Sequence, residues 1–427
     1  MRDPSAAPQL RASERETRVG PASPDKYRSA SERETRGGPA SPDKKLLVVH
    51  SALGWRENEG AEIADLVAGL RRRVAAAGGQ LLATNGRALF RVDTHGDDVA
   101  FTRIGGLSAL IRTRIDAAHV HMVTQVRHLL VALFLRLRRV PVVLSPMAML
   151  GDDFAASSWF RTPGRLRRRA KPLLVRALRR CWTMLATLFV CTSAHEAQQA
   201  RLSPSRVVLL PLPAPRSPLA ALALTSDGRP RSSPAGPVAY VGRFDVHRKG
   251  IDRLATWLQS RRDELPHPAL RLFAPASDTA PPAIAELIAD GVIDWDTRTT
   301  GADLAPELAR CRALILLTRY EGQPRVVREA VLLGIPVITT AAANFSEAIA
   351  ALDAGVVVDA DRPDEIQAAF EAVSACSPSP ASAAALFDRD RLGAVIYDAL
   401  VDLANRGRVQ VADYYTSAVQ AHSAAHG

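Results

Sequence analysis

Two glutamates eight positions apart pose the first chemical question. In "RYEGQPRVVREAVLLGIPVITT" (319–340), Glu321 stands ahead of Gly322, Gln323 and Pro324, and Glu329 sits among Val326, Val327 and Ala330. The apolar run "ALILLT" (313–318) before them reads as a strand. Pro324 suits the first helical position, where its missing N–H costs nothing, and Gly334 closes the helix before "IPVITT" opens the next strand. Glu321 is therefore expected in a loop at a strand's carboxyl end, beside a helix N-terminus that favours anions and polar ligands. Glu329 falls on or near the buried stripe of that helix. A buried carboxylate without partners costs on the order of several kcal/mol before it neutralises. Two partners are open: Arg325, four residues earlier and in the weaker orientation, or a ligand's hydroxyls.

A second cluster precedes it. "VAYVGRFDVHRKGIDRLATWL" (238–258) reads as strand, Gly242–Arg243, a loop, Lys249–Gly250 and helix. Two cations fixed at a strand end stabilise the negative charge that develops on a diphosphate leaving group. Gly242 permits close backbone approach and Gly250 a tight turn into the helix. On their own these residues fit a solvated loop with surface charge equally well. His247 and Arg248 share the loop without an assigned role.

Together the two segments resemble the retaining glycosyltransferases of family 4. Glu321, Gly322, Pro324, Glu329, Ala330, Gly334, Pro336 and Val337 match that family's E-G-x-P-x-x-x-x-E-A and G-x-P-V spacing, and "GRFDVHRKG" its G-R-(loop)-K-G element. Fainter likenesses continue toward the amino end, in "IDAAHVHMV" (115–123), "VPVVLSPMAML" (140–150) and "FVCTSAHEAQQARL" (189–202), so that the resemblance runs from about Lys45 to Val373. It implies a GT-B fold, two Rossmann-like domains facing across a cleft, and a nucleotide-sugar donor. It also implies that Glu329 accepts hydrogen bonds from ribose hydroxyls, and that Glu321 contacts the donor sugar with Gly322 and Gln323 close by. Arg243, Lys249 and Glu321 would carry the catalysis, without a metal or other cofactor. The departing phosphate would help to deprotonate the acceptor, on the face it leaves.

One departure matters. Where the family often has His-Gly after "SP", this chain has Met147–Ala148. In relatives that histidine lies near the reacting sugar and is credited with binding its hydroxyls or stabilising charge. Met147 offers a weak thioether acceptor and no proton. His121, His119 or His50 would have to substitute in space, the alternative for each being a structural histidine. In "SALGWRENEGAEIADLVAGL" (51–70), "EGAE" is similar to the family's Gly-Gly loop and would turn Gly60 toward donor phosphates and acceptor.

These residues need a scaffold, and the pattern supplies one. The chain has 427 residues, 47% hydrophobic and 23% charged, ordinary for two or three domains. Residues 1–43 hold a near-perfect repeat, "ASERETRVGPASPDK" and "ASERETRGGPASPDK", too polar to bury anything and expected to be disordered. From Lys44, continuous apolar runs bounded by turn residues alternate with helical stretches, the pattern of a parallel α/β sheet buried on both faces. A Pro/Ser/Gly-rich linker at 214–235 separates the acceptor domain (44–213) from the donor domain (236–383). A helical segment (384–427) is placed to cross back. No GxGxxG follows either opening strand, which excludes a dinucleotide-binding oxidoreductase.

The net charge of +11 favours partners carrying phosphates. "RTPGRLRRRAKPLLVRALRR" (161–180) has nine basic residues and no acidic one, with Leu166, Ala170, Leu173 and Ala177 at helical spacing and Pro172 expected to divide the helix. It reads as a docking segment for an anionic membrane surface, which suits a lipid-linked acceptor, or as a solvated basic helix. Nucleic acid is not an expected partner, because aromatic interleaving and a recognition motif are missing. Four scattered cysteines without a CxxC pair and a polar amino end indicate a cytoplasmic protein, peripheral on the inner membrane face if it docks there. A catalytically silent GT-B protein that binds nucleotide sugar is the competing reading, and Met147 favours it.

Overall fold

The computed structural model describes residues 44–50, 61–95, 98–123, 125–152, 154, 165–215, 233, 235–299, 301–409 and 413–426. The expectations for the repeated tail, for Gly60 and for residues 161–164 lie outside them. Two sheets organise the chain. The first contains β1 (Lys45–Val49), β2 (Gln80–Thr84), β3 (Ala88–His95), β4 (Asp98–Gly106), β5 (Ala117–His121), β6 (Val142–Ser145), β7 (Leu188–Cys191) and β8 (Val207–Leu209). The second contains β9 (Val238–Val241), β10 (Leu270–Phe273), β11 (Ile293–Asp296), β12 (Ala313–Leu316), β13 (Val337–Thr340) and β14 (Gly355–Val358). The strand orders are β4-β3-β2-β1-β5-β6-β7-β8 and β11-β10-β9-β12-β13-β14.

Every pairing in the second sheet is parallel. The central strands β5, β12 and β13 are buried along their whole length, as strands covered by helices on both faces must be. Two such halves facing across a cleft make the GT-B arrangement. The first sheet is extended by antiparallel β3 and β4. A search for continuous apolar runs passes over these strands, because "ALFRVDTH" alternates in the manner of a half-covered edge. It also passes over β11, whose "IDWD" buries only Ile293 fully.

Both sheets reverse strand order once, between β1 and β5 and between β9 and β12. At such a switch point the connections leave in opposite directions and open a crevice at the strands' carboxyl ends. The Gly242–Gly250 loop follows β9 and the Arg319–Gln323 loop follows β12, so both chemistry-bearing segments border one crevice.

Two local expectations need correction. Pro172 does not divide its helix, which runs unbroken over Arg165–Leu185. The proline removes a single donor, and buried Val175, Arg179 and Trp182 anchor the turns after it. Pro324 is the cap of helix Arg325–Leu332, one position earlier than expected, with ψ at 132°.

The carboxyl-terminal helix Arg389–Arg406 packs against Ala61–Ala76 of the first domain. Gly69 and Gly393 permit that crossing: a Cβ on Gly69 would meet the Arg389 carbonyl oxygen, and one on Gly393 the Gly69 backbone. Helix Tyr414–His426 adds a tie, since the Tyr415 hydroxyl donates to the Thr192 carbonyl at 2.6 Å.

Candidate active site

The second domain's contribution is set by a backbone constraint. Gly250 has φ +69°, and a Cβ there would lie 1.9 Å from the Leu317 carbonyl oxygen, so the turn requires glycine. Asp245 caps the short helix Val246–Lys249, accepting from the Arg248 N–H at 3.3 Å. The Arg248 carbonyl accepts from the Thr318 hydroxyl (2.6 Å) and the Arg319 N–H (2.9 Å), which staples the β9 loop to the β12 loop. Lys249 Nζ consequently reaches Glu321 Oε1 at 2.6 Å.

Arg248 belongs to the same cluster, which the sequence reading did not anticipate. Its Nη1 lies 3.8 Å from Glu321 and its Nε 2.9 Å from Asp245. Burial works against its charge, but the two carboxylates more than offset that and raise its pKa. Gly242, with φ +148°, donates its N–H to the Phe273 carbonyl. Arg243 is exposed at the rim; its carbonyl is held by the Tyr240 hydroxyl at 3.2 Å, and its guanidinium has no partner among the described residues.

Glu329 is 5% exposed. Arg325 Nε donates to its Oε1 at 3.0 Å, so the local pair exists. It uses one oxygen: Oε2 has no hydrogen-bond partner among the described residues. Gln323 reaches across the domains. Its amide is spent between domains, with Oε1 accepting from the Leu212 N–H at 2.6 Å and Nε2 donating to the Asn344 carbonyl at 3.4 Å. It is 3% exposed, and these bonds tie the two halves of the chain together. Arg328, fully buried, donates to the Pro213 carbonyl at 2.7 Å and ties the same helix to the interdomain strand exit.

Across the cleft, Met147 and Ala148 both adopt left-handed backbone, with φ +55° and +61°. The Ala148 N–H is held by Glu196 Oε1 at 2.6 Å, while Glu196 Oε2 accepts from the Thr192 N–H and hydroxyl at 2.7 and 2.8 Å. Burial pushes the Glu196 carboxyl up in pKa, and these bonds only partly offset it. Thr192, Ser193 and Glu196 thus have a shared role: Ser193 caps the helix Ala194–Gln199, and Glu196 holds the Met147–Ala148 turn.

The two sides meet at this turn. A Cβ on Gly322 would lie 3.2 Å from the Met147 carbonyl oxygen, so only glycine fits without a shift. Asn344, absent from the sequence reading, is central to the junction. Its Nδ2 donates to the Glu321 carbonyl and its Oδ1 accepts from the Ser193 hydroxyl, both at 2.6 Å. The pocket between domains is lined by Ala148, Gly151, His195, Glu196 and Gln199 on one side and Tyr320, Glu321, Ala342 and Asn344 on the other.

The expected stand-in histidines are not in it. His121 is 1% exposed, its ring 4.0 Å from that of His119 and 6.2 Å from that of His50. Burial lowers His119 to about 3, and burial with neighbouring His119 and His50 holds His121 well below the usual histidine range. Both rings are enclosed by the sheet, at 0% and 1% exposure, and neither lines the pocket between domains. His195 is the histidine that lines the cleft.

Residues 236–375, in the second domain, match the family model of the group 1 glycosyl transferases. No curated protein sequence matches the chain. Solved structures similar to it include a sucrose-phosphate synthase from Thermosynechococcus elongatus, at 16% identity and TM-score 0.49, covering 84% of this chain and 96% of that one. An alpha,alpha-trehalose-phosphate synthase (UDP-forming) from Burkholderia vietnamiensis gives 12% identity and TM-score 0.49, over 90% and 99% of the two chains.

Proposed function

We propose that this chain, whose residues 236–375 match the group 1 glycosyl transferases, transfers a sugar from a nucleotide-sugar donor to an acceptor hydroxyl with retention at the anomeric carbon. Glu329 Oε2 takes the ribose hydroxyls. Lys249 and Arg243 face the diphosphate, and Glu321 the sugar. The bond from the anomeric carbon to the leaving phosphate oxygen breaks, and the bond to the acceptor oxygen forms on the same face. The acceptor's proton passes to the departing diphosphate, whose charge the cations stabilise in place of a metal. The acceptor, a sugar or a lipid-linked glycan of envelope polysaccharide or glycolipid synthesis, lies against the first domain. The proposed setting is the cytoplasm.

The observation that carries this reading is the contact of Lys249 with Glu321 at 2.6 Å, which joins two separate motifs at the β9/β12 switch point. The test is turnover of UDP-, GDP- and ADP-sugars by the full chain. Consumption of one of them supports it, and indifference to all of them refutes it.

Met147 favours a second reading, a nucleotide-sugar-binding protein that does not complete transfer, because a thioether supplies no proton. Binding without turnover, with turnover gained in Met147→His, would establish that reading.

A further inference from the structure

The first domain carries an apolar face that nothing covers among the described residues. On helix Val126–Leu137, Val126, Leu130, Leu133 and Leu137 recur at helical spacing and are 70%, 60%, 44% and 76% exposed. The helix Arg165–Leu185, which packs beside it, does the same, with Leu173, Leu174 and Met184 at 65%, 56% and 62%. The stripe through Leu173 and Ala177 therefore points outward, and a different stripe, through Val175 and Trp182, holds this helix to the core. Exposed leucines scattered singly are ordinary; a run of them along two adjacent helices marks an interaction surface.

The charge carried by the two helices themselves is of one sign. Neither helix contains an aspartate or glutamate. Arg176, Arg179, Arg180 and Arg201 line a groove on the second helix, and Asp152 fixes two of them, at 2.5 Å from Arg179 and 2.9 Å from Arg201. We propose that the two helices form a docking face for an anionic lipid bilayer, with the leucines entering the headgroup boundary and the exposed Arg176 and Arg180 pairing with lipid phosphates. A second copy of the chain fits less well, since a self-complementary contact would bring two arginine groups of like sign together. No helix among the described residues is long and apolar enough to cross a membrane, so the docking is peripheral. The inference does not depend on the donor chemistry.

The experiment is co-sedimentation of the full chain with phosphatidylcholine vesicles containing or lacking ~30% phosphatidylglycerol, over a range of salt. Binding is expected to the anionic vesicles and to fall steeply with salt. Arg176→Ala and Arg180→Ala should each weaken it about fivefold. Leu130→Ser with Leu137→Ser should weaken it at least ~10-fold. These positions are exposed, and unchanged thermal midpoints and nucleotide binding will establish that the variants are folded. Equal binding to vesicles lacking phosphatidylglycerol, or full binding by the leucine variant, overturns the proposal. So does a dimer in light scattering that the leucine variant abolishes, which would make the face a contact between copies. Vesicle binding by a protein that ignores every nucleotide sugar would leave this inference standing and refute the function proposed above.

Discussion

Lys249 Nζ lies 2.6 Å from Glu321 Oε1, although three strands separate the two residues along the chain. The side chains are 16% and 12% exposed, so water screens the pair only partly. The carboxylate fixes an otherwise flexible ammonium at the mouth of the β9/β12 crevice. Arg248, held by Asp245, backs the same point from behind. A cation so held needs little reorganisation to meet a diphosphate.

Glu329 separates a local from a ligand role. Arg325 is 42% exposed and pairs with one carboxylate oxygen, so Arg325→Ala should cost only about 0.5 kcal/mol of stability and leave nucleotide affinity within ~3-fold. Glu329→Gln should weaken nucleotide binding ~10-fold or more, the scale of one charge-assisted hydrogen bond. Titration calorimetry and thermal melting of both variants measure the two effects. Equal, small changes in affinity would return Glu329 to a purely structural role.

Gln323 is expected to behave as a tie between domains. Gln323→Ala leaves the buried Leu212 N–H without its acceptor, at a cost of ~1–3 kcal/mol. Urea unfolding should show that loss while the donor KM changes little. A large rise in KM at unchanged stability would instead place Gln323 at the sugar site.

Ala148 holds a conformation that favours glycine. At φ +61° it carries a strain of ~1–2 kcal/mol, so Ala148→Gly should raise stability by up to about that amount, less the entropy glycine loses. Met147→His should fold normally, because histidine is among the residues enriched in left-handed backbone. Denaturation midpoints check both.

The buried histidines predict acid sensitivity. Burial takes His119 from 6.5 to about 3, so between those values the unfolded chain binds more protons than the native one. Its stabilising contribution is complete above pH 6.5 and is lost as pH falls toward 3, at up to ~1.4 kcal/mol per pH unit. Glu196 and Glu347, whose carboxyls burial raises, act in the opposite sense from their ordinary value of 4.5 upward. Comparing native protein with His119→Gln, which preserves the contact to Ser145, isolates the histidine. Stability of the variant should fall less between pH 6.5 and 4.5; parallel profiles would contradict the assignment.

The second domain's side of the cleft was legible because its parts are local. A strand end, a glycine turn and a helix start position Lys249 and Glu321 within two short segments. The junction was not. Arg328 reads as an ordinary helix arginine until Pro213, in the other half of the chain, supplies its acceptor. Asn344 and Glu196 likewise act through partners that only the fold brings near. Histidines on β5 suggested chemistry, but their burial depends on sheet packing that periodicity does not encode. The basic helix showed its apolar stripe clearly, yet not which stripe the core would take.

The central claim is a nucleotide-sugar site at the β9/β12 switch point, and calorimetric titration of the full chain with UDP, GDP and ADP tests it most directly. The account predicts that one of them binds with a Kd of ~100 μM or tighter, and that Lys249→Met weakens it at least ~10-fold. No binding by any of them at ~1 mM, or a Lys249→Met variant that binds as tightly as the native chain, would contradict it.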